Sequence, residues 1–332
     1  MNKKLTVVVS ALLFAGLLPA TMSVNADDAT VVEKIVDVQH DLFDGPRPGL
    51  RSNHTKGIVV TGEFTPSAQA ATITEAVHLQ DRTSPVVVRF SNATGFPDIA
   101  DNDPKGLAKG MAIRIDLDDE QYTDMVFSSV PRFPVATPEK FLELLTAVRD
   151  SADSNESPKP IETFLSEHPA AKDFVSYPKP YPVSFATLSY HGINAFKFTN
   201  ADGESVYGRY IVKPLAGEQS LDKTQAQAQD ANYLMSEIPA RLAEDAVEFS
   251  LALQIAGDGD EVNDATVIWP DDRPVVELGI LRLTAMHDDA AAYEKATMFN
   301  PLALPEGIAP SDDPILLARP GAYAVSFQHR MD

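Results

Sequence analysis

The sequence has no cysteine at any of its 332 positions. That absence excludes a disulfide scaffold, an iron–sulfur cluster, a zinc site with thiolate ligands and covalent haem attachment through a CxxCH motif. Basic residues are also scarce, with 27 Lys and Arg against 48 Asp and Glu, so the formal net charge is −21. A polyanion has no general attraction for phosphates, and we expect no nucleic-acid partner. The hydrophobic fraction of 44% is nevertheless typical of a globular protein.

Long apolar runs are scarce too. The run at residues 5–19 follows Lys3 and Lys4 and precedes small residues at 24–26. Its length suits a signal peptide, whereas a membrane-spanning helix needs about 20 residues. The sequence therefore predicts a signal peptide over residues 1–26, a mature domain over residues 27–332 and a periplasmic location without stable membrane association. An uncleaved membrane anchor is the alternative interpretation.

Hydrophobic periodicity and turn residues predict a β-rich α+β domain. Helices are expected over residues 29–43, from Thr137-Pro138 to about Arg149, and near 313–330, the last broken or begun late at Pro320-Gly321. The predicted strands fall in two blocks, at 57–64, 84–91, 111–115 and 125–130, then 195–199, 205–212, 247–255, 265–269 and 275–283. Because helices do not alternate strictly with these strands, a parallel sheet is disfavoured. The pattern favours an antiparallel barrel with flanking helices.

Two polar clusters interrupt this pattern. The run RSNHTKG (51–57) places His54 between two cations, just before a predicted strand. The last predicted helix carries polar residues at spacings of four, three and four, namely Arg319, Tyr323, Ser326 and Arg330. Such spacings put side chains on one face of a helix. Taken from the residues alone, a surface turn and a polar stripe over one packed aromatic are the simpler interpretations.

Several segments of the sequence resemble the haem catalase superfamily, and in particular its small exported catalase-related peroxidases. RSNHTKG is similar to the family's RxxHxKG motif, and residues 190–210 are similar to its H-x-F-K segment. The other similar segments are PVVVRFSNATGFPDIAD (85–101), GLAKGMAIRI (106–115), DMVFSSVPRF (124–133) and residues 299–330. The resemblance covers nearly all of residues 29–332. It implies the catalase type of antiparallel β-barrel and, without a CxxCH motif, a non-covalent haem b.

The resemblance also implies roles for individual residues. His54 corresponds to the distal catalytic histidine, Ser91 to the residue that orients it, and Ser128 to a position on the distal wall. Tyr323 corresponds to the axial ligand of the haem iron and Arg319 to its charge partner. The remaining cofactor-binding positions are Arg51, Arg89 and Arg330, which pair with the haem propionates, and Phe141, an aromatic near the haem face.

Two departures from the family pattern shape the expected activity. Family catalases carry asparagine where this sequence has Ser128, and that amide helps to place a second hydrogen peroxide. The sequence also ends two residues beyond Arg330, which favours an open pocket and a monomer or small homo-oligomer. We therefore expect a peroxidase that reduces hydrogen peroxide or organic peroxides with an external electron donor. A weak catalase and a haem-binding protein without enzymatic activity are the alternatives.

Overall fold

An antiparallel sheet that closes on itself forms the core of the described part of the chain. The computed structural model describes residues 29–117 and 121–332, and Val31–Asp332 form one unit. The strands, in chain order, are β1 (Gly57–Pro66), β2 (Ser84–Asn92), β3 (Lys109–Asp116), β4 (Tyr122–Ser128), β5 (Tyr181–Pro182), β6 (Tyr190–His191), β7 (Phe196–Thr199), β8 (Ser205–Pro214), β9 (Ser220–Leu221), β10 (Val247–Ile255), β11 (Val275–Met286) and β12 (Ile308–Pro310).

Strand pairing closes the sheet into a barrel. The order is β10-β11-β1-β2-β3-β4-β6-β8, and β8 pairs again with β10, while β7 and β12 extend the sheet beyond β8. Strands β1 to β4 follow one another as an antiparallel meander. The eight-stranded antiparallel barrel with flanking helices confirms the predicted fold class.

Helices surround the barrel in the described part of the chain. They are α1 (Val31–Leu42), α2 (Ala70–Ile73), α3 (Pro138–Ser151), α4 (Pro160–Glu167), α5 (Pro169–Ser176), α6 (Lys223–Gln227), α7 (Tyr233–Glu244), α8 (Ala290–Ala296) and α9 (Pro314–Met331). No helix within these residues is long and apolar enough to cross a membrane. The predicted signal peptide at residues 1–26 lies outside the described residues.

The last helix corrects one prediction. Helix α9 is continuous, although Pro320 lies inside it and removes one backbone donor. The side chains of Arg319 and Tyr323 hydrogen-bond across the proline at 2.9 Å, and the Asp313 carboxylate caps the first turn. These contacts hold both sides of the proline in one helix, so the predicted break at Pro320-Gly321 was wrong.

A second correction concerns residues 265–269, which form a turn and an extended loop instead of a strand. Their backbone carbonyls and those just before them accept hydrogen bonds from guanidinium groups that are distant in sequence. Arg132 donates to Thr266, and Arg209 donates to Asp264. The carbonyls that would pair with a neighbouring strand are thus used by side chains. The predicted strand at 125–130 is also displaced, since β4 begins and ends earlier.

Alternation along the strands separates the core from a second, polar face of the sheet. In β2, Val86, Val88 and Phe90 belong to the hydrophobic core cluster inside the barrel. Successive strand residues point to opposite faces, so Arg89 and Ser91 lie on the other side. This polar face of β1 to β4 carries the candidate site.

Candidate functional site

His54 lies in the short loop that leads into β1. Its backbone adopts a left-handed conformation, with φ of 54°, and its N–H donates to the Asn53 side chain at 2.8 Å. The loop is tied to α9, because the Ser52 backbone N–H donates to Ser326 Oγ at 3.0 Å. A left-handed non-glycine residue is uncommon, and here the surrounding hydrogen bonds hold it. The loop thereby presents the imidazole to the polar face of the sheet.

Two small residues on neighbouring strands fix the imidazole. His54 Nδ1 lies 3.0 Å from Ser91 Oγ. A Cβ atom added at Gly110 would lie 2.7 Å from the His54 ring and 2.9 Å from Ser91 Oγ, so only glycine fits between them. Strand register pairs Ser91 with Gly110, and Gly110 in turn with Ser128. The predicted residues His54 and Ser91 are thus in direct contact, with Ser128 one strand further along.

His54 is held in its neutral form. Burial, followed by the positive charges of Arg89, Arg319 and Arg51, lowers the pKa of His54 to about 3. A cationic imidazole is unfavourable in this setting because desolvation and like charges act in the same direction. Near neutral pH the ring is therefore available to accept a proton.

A chain of hydrogen bonds on α9 and the barrel holds the second predicted group. Arg319 Nε donates to the Tyr323 hydroxyl at 2.9 Å, and its Nη1 donates to Asn194 Oδ1 at 2.8 Å. Asn194 Nδ2 donates to Asp313 Oδ2, also at 2.8 Å. Arg319 also borders a cavity with apolar side chains of β4, β7 and β8. The chain fixes the guanidinium against the phenol oxygen, beside a cavity that Thr123, Asp124 and Asn194 also line.

The three arginines predicted to bind propionates come together in one cluster, which we call the arginine cluster (Arg51, Arg89 and Arg330). Arg51 and Arg330 both donate to the Thr297 carbonyl, at 3.0 and 2.9 Å. Burial and the charges of Arg89 and Arg330 lower the pKa of Arg51, while Glu294 raises it. The Nε atoms of Arg89 and Arg330 are buried and have no hydrogen-bond partner among the described residues. Buried, under-neutralised guanidinium groups of this kind suit a carboxylate ligand.

The observed contacts of Ser128 and Phe141 do not test the roles that the family resemblance implies for them, and those roles stay predictions. Ser128 Oγ accepts from the Val130 backbone N–H at 3.0 Å, on the polar face beside Gly110. Phe141 packs with Phe133 at a ring separation of 4.9 Å, in a small hydrophobic cluster between α3 and α4. No described contact places Phe141 against His54 or Tyr323.

Sequence reasoning missed three residues of the site. Gly110 and Asn194 stand inside segments that carry the family resemblance, and Asn194 occupies the histidine position of the H-x-F-K pattern. The asparagine in place of the family's histidine is the sequence feature that could have identified Asn194 as part of the site. Glu294, which contacts Arg51 and Arg89, stands among alanines in α8 and carries no sequence signal of its own.

Comparison with curated proteins shows relatives that match most of the chain. The catalase-related peroxidase of Mycolicibacterium paratuberculosis is 33% identical over 289 residues, covering 86% of this chain and 90% of the relative. The catalase-related peroxidase of Synechococcus elongatus is 32% identical, covering 86% and 85%. A catalase of Alkalihalophilus pseudofirmus is 27% identical, but this chain spans only 44% of its length.

Solved structures show the same fold. A fungal catalase superposes with a TM-score of 0.75 at 21% identity, and catalase A of Saccharomyces cerevisiae with 0.76 at 20% identity. The match covers 86% of this chain and about 60% of those chains. The family model described as Catalase matches residues 21–332. On this match, and on curated relatives above 30% identity, the chain belongs to the catalase family, whose cofactor is haem.

Proposed function

We propose that this protein is a haem-dependent peroxidase that reduces hydrogen peroxide or organic peroxides with electrons from an external donor. The observation that carries the proposal is the neutral His54 fixed by Ser91 and Gly110. A protein that only stores haem has no use for an oriented proton acceptor. Two curated relatives named catalase-related peroxidase support the same function.

The residues present fit a haem. The Tyr323 phenol, held by Arg319, is a suitable iron ligand, and catalase is the known case of tyrosine ligation of haem. The arginine cluster would offer buried donors to two propionates, among them the Nε atoms of Arg89 and Arg330, which have no hydrogen-bond partner in the part of the chain that the structure describes. Because the sequence has no cysteine, we propose a non-covalent haem b. Haem, when bound, supplies the redox-active iron at which the O–O bond of a peroxide is reduced.

His54 moves the proton in this proposal. With Nδ1 at Ser91, the Nε2 atom is left to take the proton from the peroxide hydroxyl and return it to the departing oxygen. A group that acts first as base and then as acid suits a step in which one oxygen leaves as water or alcohol. Two electrons from the donor and two protons balance the reduction of one peroxide to alcohol and water.

Arg319 stabilises negative charge on the Tyr323 oxygen, since its Nε–H donates to that oxygen. Asn194 and Asp313 keep the guanidinium in place. A fixed donor of this kind favours an anionic phenol ligand without any rearrangement during reaction.

Ser128 favours peroxidase over catalase activity. Catalatic turnover requires hydrogen peroxide to bind twice, the second time as reductant. The Ser128 hydroxyl is short, lacks the two donors of an amide and already accepts from Val130 N–H. It therefore positions a second peroxide less well than the asparagine of family catalases.

Export is part of the same proposal. The lysines, apolar run and small residues within 1–26 support removal of a signal peptide and a periplasmic location. Intact-mass measurement of the exported protein should show a start near Asp27. A mass that retains Met1–Ala26 would contradict this part of the proposal.

The activity is tested by measuring donor oxidation and oxygen evolution with the same purified, haem-loaded protein. We expect donor oxidation to be the faster reaction, and Ser128→Asn to raise oxygen evolution more than donor oxidation. The control Ser166→Asn, on the exposed side of α4, should change neither. Oxygen evolution faster than oxidation of any donor would identify a catalase, and a haem-loaded protein inert to peroxide would identify a haem-binding protein.

A further inference from the structure

Helix α8 is attached to the site through one charged residue. The Glu294 carboxylate Oε2 lies 3.3 Å from Arg51 Nη1 and 3.0 Å from Arg89 Nη2. The arginine side chains are 17% and 4% exposed and that of Glu294 is 22% exposed, so these ion pairs are largely shielded from water. Charge-assisted hydrogen bonds in such surroundings are among the stronger ones in proteins.

The donors that Glu294 uses belong to the arginine cluster. The other Nη group of Arg51 donates to Thr297, and Arg89 Nη2 also donates to Thr55. A second carboxylate that approaches the same Nη groups meets a negative charge already bound there. Two carboxylates cannot both take the best geometry on one guanidinium edge, and they repel each other.

The rest of α8 offers little resistance to movement. No residue of this seven-residue helix is buried. Its main ring contact is Tyr293 on His287, at a centroid separation of 4.7 Å. Segments with few buried apolar contacts open at low cost in free energy. Within α8 itself, the ion pairs of Glu294 are the charged contacts to the arginine cluster, and just beyond the helix the Thr297 carbonyl accepts from Arg51 and Arg330.

We propose that Glu294 competes with the haem propionates for Arg51 and Arg89, so that haem uptake releases α8 from the arginine cluster. This inference rests on the proposed haem site. It assigns to Glu294 a role that weakens haem binding. Removing the Glu294 charge should make the donors that Glu294 occupies on Arg51 and Arg89 available to the cofactor.

The first test measures haem transfer from the loaded protein to excess apomyoglobin. Glu294→Gln should release haem about tenfold more slowly than wild type, because the uncharged side chain no longer displaces a propionate from Arg51 and Arg89 as haem leaves. Glu248→Gln is the matched control, since it makes the same charge change in an exposed pair with Arg282. It should release haem at the wild-type rate.

The second test follows hydrogen exchange of the amides of residues 291–297. In wild type, these amides should exchange faster in the haem-loaded than in the haem-free protein; in Glu294→Gln they should exchange fast in both. The competition would be contradicted if Glu294→Gln released haem as fast as wild type or faster. It would also be contradicted if haem binding did not change the amide exchange of wild type, and Glu294 would then be only a structural counter-ion. A wild-type protein that binds no haem would overturn the haem site itself.

Discussion

Among single residues, Gly110 decides how close the imidazole can come to Ser91. Gly110 lies on β3 directly opposite the His54 ring. A Cβ atom at this position would lie 2.7 Å from the ring, which is closer than van der Waals contact allows. The constraint is one of space, since Gly110 is not among the glycines with positive φ. Gly110 therefore controls the position of the residue that we propose moves the proton.

We expect Gly110→Ala to slow the reaction with peroxide about 100-fold while haem is retained, because the methyl group displaces His54 by a large fraction of an ångström. Stopped-flow rates and the haem-to-protein ratio measure the two effects. Gly321→Ala is the control, since its Cβ would lie 3.5 Å from Val32, an ordinary contact. An unchanged rate in Gly110→Ala would show that the imidazole is not confined as described.

At the scale of secondary structure, the start of α9 joins stability to the site. The Asp313 carboxylate is fully buried, accepts from the backbone N–H groups of Ile315 and Leu316, and also accepts from Asn194. One side chain thus caps the helix that carries Tyr323 and anchors the hydrogen-bond chain to Arg319. Helix α3 begins with a simpler cap, Thr137, whose hydroxyl accepts from the Lys140 N–H.

Asp313→Ala should lower the free energy of unfolding by about 2–4 kcal/mol, since it removes a cap and leaves the Asn194 amide unpaired. Thr137→Ala should lower it by only about 1 kcal/mol, because only a cap is lost. Urea unfolding of both variants measures the difference. A smaller loss in Asp313→Ala than in Thr137→Ala would contradict the double role of Asp313.

Secondary structure was predictable from sequence where local rules act alone. The strand Val247–Ile255 and the start of α3 at Thr137-Pro138 follow from alternation and capping, and the structure confirms them. Residues 265–269 have strand composition, yet Arg132 and Arg209, both distant in sequence, donate to the Thr266 and Val267 carbonyls. Pro320 is a helix breaker, yet contacts on both sides of it keep α9 whole. Both predictions were wrong because of side-chain contacts that form only in the folded chain.

The candidate site shows the same limit. His54, Ser91, Arg319 and Tyr323 stand in motifs of the family, and the structure brings each pair into contact, while their roles stay predictions. Glu294 could not, because a lone acid on an alanine-rich helix looks like any solvated residue. Its contacts with Arg51 and Arg89 span more than 200 residues of sequence.

For the whole molecule, buried neutral histidines predict sensitivity to acid. His78 is fully buried, its ring nitrogens have no partner among the described residues, and burial lowers its pKa to about 3. The unfolded chain binds a proton near pH 6.5, while the folded chain does not until about pH 3. Between these values the unfolded state gains free energy of proton binding, so stability is full above pH 6.5 and falls as the pH is lowered.

Lowering the pH from 7.5 to 5.0 should reduce the free energy of unfolding of His78→Leu by about 2 kcal/mol less than it reduces that of wild type. Urea unfolding at the two pH values measures this difference. Leu79→Val is the control, since it changes another fully buried side chain without a titratable group, and its pH dependence should follow wild type. Parallel losses in wild type and His78→Leu would show that His78 is protonated in the folded protein.

The central claim is that His54 transfers the proton when this protein reacts with peroxide. The measurement that tests it most directly is the second-order rate constant of the reaction with hydrogen peroxide, for haem-loaded wild type and His54→Ala. Loss of a positioned acid–base group costs about 10²–10⁴-fold, and we expect a decrease in that range with the haem content unchanged. A rate within threefold of wild type, at equal haem content, would contradict the account.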